Sequence, residues 1–183
     1  MSATGLAAER IPAGLYTVDP KHSNVGFAVR HMGIATVRGG FQQFQGKIDA
    51  SGGAPVLEGL VDVASITTGD EQRDGHLRSP EFFDAQHHPQ IRFHSTASEI
   101  SDDGAIRLRG EIEIKGVTKP IELTGTVAEG GTDPWGQERI GFEVEGLIDR
   151  RDFGLNWNQP LPAGGVLVAN EVKLLISVSA VKE

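Results

Sequence analysis

The chain of 183 residues contains no cysteine. Thiol nucleophiles, thiolate metal centres and redox disulfides are excluded together, and stability must come from a packed core alone. One domain of this length can supply that core, because it buries roughly two-thirds of its unfolded surface. No apolar run approaches the ~20 residues of a membrane-spanning helix. Met1 to Pro12 carry Glu9 and Arg10 and lack the apolar stretch of a secretion signal, which predicts a cytoplasmic location. Positive charge is scarce too. The 17 basic and 25 acidic residues leave a net charge of −8, a field that repels phosphate backbones and argues against nucleic acid as a partner.

Catalytic signatures are equally sparse. There is no Gly-x-Ser-x-Gly elbow, no dinucleotide fingerprint and no His-Glu-x-x-His pair. Gly46-Lys47 ends like a phosphate loop, but Phe41 stands where its first glycine belongs and Ile48 replaces the hydroxyl. His87 and His88, with Asp84 and His94 nearby, fit no zinc spacing, and adjacent residues of an extended chain point apart. No metal and no cofactor is expected.

What is present in quantity is alternation. The 24 glycines and 9 prolines fall mostly between short stretches with an apolar residue at every second position, the pattern of half-buried strands. Val25, Phe27 and Val29 define a strand expected over His22 to Met32. The pattern returns in Val37-Gly39-Phe41, Gly59-Val61-Val63, Ile91-Phe93-Ser95, and Ile106 through Ile114. Lys115 to Pro120 reads as a hairpin loop before Ile121 to Val127. Ile140 to Ile148 and Val172 to Val178 complete eight or nine strands, with Trp135 and Trp157 in connections. One stretch departs from period two: Thr67 to Asp84 predicts a short helix, with Thr68 as a cap and Asp70 and Glu71 in its first turn.

A chain of long strands avoids sticky edges by closing into a barrel, and about eight strands leave an interior that holds side chains or one small ligand. Gly39, Gly59, Gly110, Gly125 and Gly146 share the apolar register, which predicts sharp curvature or internal room. Alternation alone also allows a sandwich, but the glycines favour the barrel, and the fold class is therefore all-β: a single antiparallel eight-stranded barrel over residues 15–183, a helical segment near 68–84 and a flexible extension over 1–14.

Four motifs in order, Tyr16-Thr17-Val18-Asp19-Pro20-Lys21-His22-Ser23, Thr68 to Asp84, Gly110 to Pro120 and Asp149-Arg150-Arg151-Asp152-Phe153-Gly154, resemble those of the YceI-like family. The resemblance implies an extended lipocalin-like barrel whose central tunnel holds a long isoprenoid, such as a polyprenyl chain or quinone tail, or a fatty amide. It also implies a homodimer, and a binding protein rather than an enzyme.

On that basis the tunnel wall is assigned to Val25, Phe27, Val29, Val61, Val63, Phe93, Ile112, Ile114, Phe142 and Val144. A polar mouth is assigned to Arg30, His31, Asp70, Arg73 and His76, and a gate to Phe82 and Phe83. The Asp149 to Gly154 turn reads mainly as a lock on a strand exit, with an arginine available to grip an anionic head group. Two rival readings are an enzyme acting on a small lipid or quinone, with His31 or His76 as acid–base beside Asp70, and a filled barrel serving protein interaction.

Overall fold

In the computed structural model, which describes residues 10–183, twelve strands follow in chain order: β1 (Leu15–Val18), β2 (Asn24–His31), β3 (Ala35–Phe41), β4 (Phe44–Asp49), β5 (Val56–Asp62), β6 (Ile66–Thr67), β7 (Gln90–Ile100), β8 (Ala105–Ile114), β9 (Val117–Val127), β10 (Gly131–Thr132), β11 (Glu138–Asp149) and β12 (Val168–Lys182). Helix α1 covers Glu71–Arg78. Pairing runs β12–β1–β4–β5–β7–β8–β9–β11 and returns to β12, so the sheet closes as an eight-stranded antiparallel barrel. β2, β3 and β6 continue the wall beyond β12.

β12 makes the closure possible. One edge pairs with β11 from Glu171 to Val181. The other takes β2 up to Ser177 and β1 from Ala180 onward. β1 and β2 are thus two halves of one stave, broken by the turn at Pro20–His22, which explains why the strand expected from His22 starts only at Asn24. Proline there removes a ladder donor and fixes its own φ.

Hydrogen bonds hold this break together. Asp19 receives the Lys21 amide at 3.0 Å and Arg139 Nη1 at 2.9 Å, and its Oδ2 lies 2.8 Å from His22 Nδ1. Arg139 Nε reaches on to Asp133 at 2.8 Å. The His22 and Arg139 side chains, with the Lys21 amide, hold the Asp19 carboxyl down at about 2.

Glycines on the apolar register serve close approach rather than internal room at most positions. A Cβ at Gly125 would collide with the Glu143 main chain, and one at Gly110 with the His94 carbonyl, beside a bulge between Ser95 and Ala97. Gly59 differs: the nearest atom to its absent Cβ is the Gln45 oxygen at 3.9 Å. The Lys115–Gly116 turn is tighter than the expected loop. Both residues have positive φ, and β9 already starts at Val117, with Pro120 inside it. Helix α1 is capped by Asp70, which accepts the Arg73 amide, and not by Thr68. Within the expected N-terminal extension, residues 1–9 lie outside the described part; Ile11 packs into the core and Tyr16 donates to the Pro12 carbonyl at 2.7 Å.

Asp19 has a folded pKa below its usual value, so its contribution to stability is complete above about pH 4 and is lost as the pH falls toward 2. The urea midpoint should therefore drop over that interval. Asp19→Asn should lower the midpoint at neutral pH and flatten its acid dependence; an unchanged acid slope in the variant would remove this network from the stability account.

Candidate functional site

Period two sends alternate residues of every stave inward, and those residues here surround an apolar cavity of about 230 Å³. β12 contributes Val168, Val172, Leu174, Ile176 and Val178. The steps from 168 to 178, at ~3.3 Å each and tilted ~40° from the barrel axis, span ~25 Å. Val25, Phe27, Leu174, Ile176 and Val178 point inward and pack against the core on one side, yet stay half-buried because they also border the cavity. The far end is different. Tyr16 is 1% exposed and Ala180 0%, and with Ile11, Ala50, Ile106, Val127 and Ile140 they form a solid floor.

Nine of the ten expected wall residues line this cavity; Val63 does not. The expected alternation ends one residue too early for it. β5 stops at Asp62, and Val63 turns into a 3-10 turn over Val63–Ser65, where it is buried outside the tunnel. Both expected gate residues line the α1 end of the cavity, where Phe83 meets Phe41 edge-on at 6.1 Å and Phe82 lies 5.5 Å from Trp157.

The five polar residues expected at one mouth fall into three separate places. Arg30 faces outward and donates to Thr36 and the Gly33 carbonyl. His31 sits at the end of β2 opposite Ala35 and Val168, outside the cavity lining. Asp70 is spent on the helix cap, and Arg73 binds Thr68 through Nε at 2.7 Å and Nη2 at 2.9 Å. His76 is held between Phe82 and Trp157, with Nε2 2.6 Å from Glu81. Spacing along α1 suggested mutual contact; Asp70 does take the Arg73 amide, but the Arg73 and His76 side chains find their partners at Thr68 and Glu81 in the loops flanking the helix.

Three charged residues border the cavity: Lys47 and Glu58, which are exposed to solvent, and Arg150, which is 4% exposed. Its Nε donates to Ala169 at 2.9 Å; Nη1 donates to Leu155 at 2.6 Å and Trp157 at 2.9 Å, all carbonyl oxygens. No carboxylate neutralises it, because Asp149 pairs with Arg151 instead, at 2.6 Å. Burial pulls the Arg150 pKa below its usual value, while the Arg151 guanidinium and amide hold Asp149 at about 2. Choosing between the adjacent arginines needed their facing, which the turn Arg150–Phe153 sets and alternation cannot. Trp157 was legible only as a loop residue, although it packs on the cap.

Among the described residues no three His, Asp or Glu side chains cluster as a metal site. His87 contacts Asp84, and His94 faces Glu111.

Residues 16–180 match the YceI-like domain. Protein YceI of Escherichia coli is 33% identical over 173 residues, covering 92% of this chain and 87% of that protein. The crystal structure of a Campylobacter jejuni YceI protein superposes with a TM-score of 0.72 at 26% identity, covering 84% of this chain and 90% of the other. A structure described as a polyisoprenoid binding domain, from Saccharophagus degradans, reaches a TM-score of 0.70 at 16% identity, covering 92% and 98%; at that identity the likeness is one of fold.

Replacing Arg150 with methionine should cost about 3 kcal/mol, because several buried carbonyls lose their donor. Arg151→Ala, which breaks an exposed pair, should cost no more than about 0.5 kcal/mol. Equal effects of the two in urea denaturation would show that the buried fork is not what locks this turn.

Proposed function

The chain belongs to the YceI-like domain family, and on that premise we propose that it sequesters and carries a long apolar isoprenoid-type lipid, such as a polyprenyl chain or quinone tail, in its central cavity. The observation that carries this reading is the half-buried inner face: in a filled scaffold Phe27, Leu174 and Ile176 would be as fully buried as Tyr16 on the floor, whereas each borders the cavity. The wall extends ~25 Å, beyond the ~15 Å that one leaflet of a ~30 Å hydrocarbon core offers to an ordinary acyl tail. A longer chain uses that length. Each buried methylene contributes roughly 0.8 kcal/mol before ordering costs, so the tail dominates affinity.

The head group would sit at the α1 end, where Arg150 supplies the buried positive charge and Phe82 and Phe83 form a movable cover. A carrier is favoured over an acid–base enzyme because Asp70 and His76 are engaged with the helix cap and Glu81, and neither borders the cavity.

Gly59 gives the decisive variant. It lines the cavity and its Cβ position is open, so Gly59→Leu should fill the tunnel without straining the sheet. Organic extraction and native mass spectrometry should find a prenyl or quinone lipid on the wild type and none on Gly59→Leu, with Tm preserved. A wild type that is always empty and takes up no added prenyl lipid would end the carrier reading.

A further inference from the structure

At the α1 end two uncharged segments meet in solvent. One is the β2–β3 turn, where Ile34 is 76% exposed and Met32 43%. The other is the loop before β12, where Val166 is 47% exposed; residues 153–170 carry no charged side chain at all. They form one surface, since the Met32 amide donates to the Leu167 carbonyl at 2.8 Å and His31 pairs with Val168. That surface is continuous with the tunnel, whose lining ends at Val29, Val168 and Val172.

The turn itself shows what the tip is for. Met32 and Gly33 both have positive φ, at 56° and 66°. They are the central residues of the His31–Ile34 turn within a three-residue loop; such left-handed positions favour Asn and Gly, and a side chain like methionine is strained there. An exposed apolar group thus occupies a position where both solubility and backbone geometry prefer asparagine.

Charge points the same way. Residues 24–41 contain Arg30 and Arg38 and no acidic residue, within a chain of net charge −8. Arg30 is held directly behind the turn by the Gly33 carbonyl at 2.9 Å.

Resting on the carrier reading, we infer that this tip is a docking surface for a lipid bilayer with anionic headgroups: Met32, Ile34 and Val166 enter the interface, Arg30 and Arg38 meet phosphates, and the cargo crosses between bilayer and tunnel without meeting water. An apolar tip backed by Arg30 at the turn and Arg38 further up β3 suits such an interface, where burial and electrostatic attraction add.

The test is flotation with vesicles of phosphatidylcholine alone or mixed with phosphatidylglycerol. The wild type should float preferentially with the mixed vesicles. Ile34→Asp and Val166→Asp should each lower partition about tenfold, and Arg38→Gln should reduce the preference for phosphatidylglycerol. Met32→Asn should raise Tm while weakening flotation, a combination that a purely structural turn would not produce. All variants should retain lipid already loaded in the tunnel. A loaded wild type that floats with neither vesicle, or aspartate variants that float as the wild type does, overturns the docking proposal and leaves the carrier reading standing. If Ile34→Asp instead halves the mass in sedimentation equilibrium with flotation unchanged, a second copy covers the tip and the proposal falls. A protein that floats by this surface but never takes up a prenyl lipid overturns the carrier reading alone.

Discussion

The second edge of β12 is the constraint on which the rest of this structure depends. A closed sheet must pair every backbone donor and acceptor around the ring. Here β12 satisfies that requirement by pairing with β2 along most of its length and with β1 at its end. The division lets one sheet hold two cross-sections. At the β1 end Tyr16 and Ala180 are closed off from solvent and lie outside the cavity. At the β2 end the wall stands apart, and the inward residues face a void. A hollow interior beside a solid floor is therefore a property of strand pairing as much as of side-chain size.

The polar chemistry of the molecule serves that division. Asp19, His22 and Arg139 converge where β1 gives way to β2, and Ser23 exchanges bonds with the Ser179 main chain at the corresponding point of β12. Arg150 does the same at the other end, tying the turn after β11 to the first residues of β12 through carbonyls. Close-approach glycines finish the work, because Gly110 and Gly125 let neighbouring main chains come nearer than any Cβ would permit.

Much of the barrel was legible in the sequence, since period two is a property of single strands and survives without knowledge of partners. Ile106 to Ile114 could be placed on faces from alternation alone, and the wall followed from it. The misreadings lie where alternation stops. Val63 continues the pattern on paper but follows the end of β5. Thr68 and Asp70 are both competent caps, and only the helix start decides between them. The supposed polar mouth failed for a related reason. Residues on different elements, His31 on β2 and His76 on α1, were grouped by chemical type, whereas their positions are set by a three-dimensional closure that no local signal encodes.

That failure changes how selectivity should be understood. If His31, Asp70, Arg73 and His76 had converged, a specific constellation of hydrogen bonds would read the cargo's head. Instead Asp70, Arg73 and His76 are engaged with the helix cap and flanking loops, His31 lies outside the cavity lining, and Arg150 is the buried charge on the cavity wall. Its main-chain partners already occupy Nε and Nη1, so it offers a positive field more than a shaped socket. A carrier built this way would discriminate by length and bulk along the tunnel and only coarsely by charge at its end. For the proposed cargo, the sharper filter then lies outside the cavity, at whatever surface delivers the lipid to it. An acidic chain that keeps residues 24–41 and 153–170 free of carboxylates has the means to choose that surface.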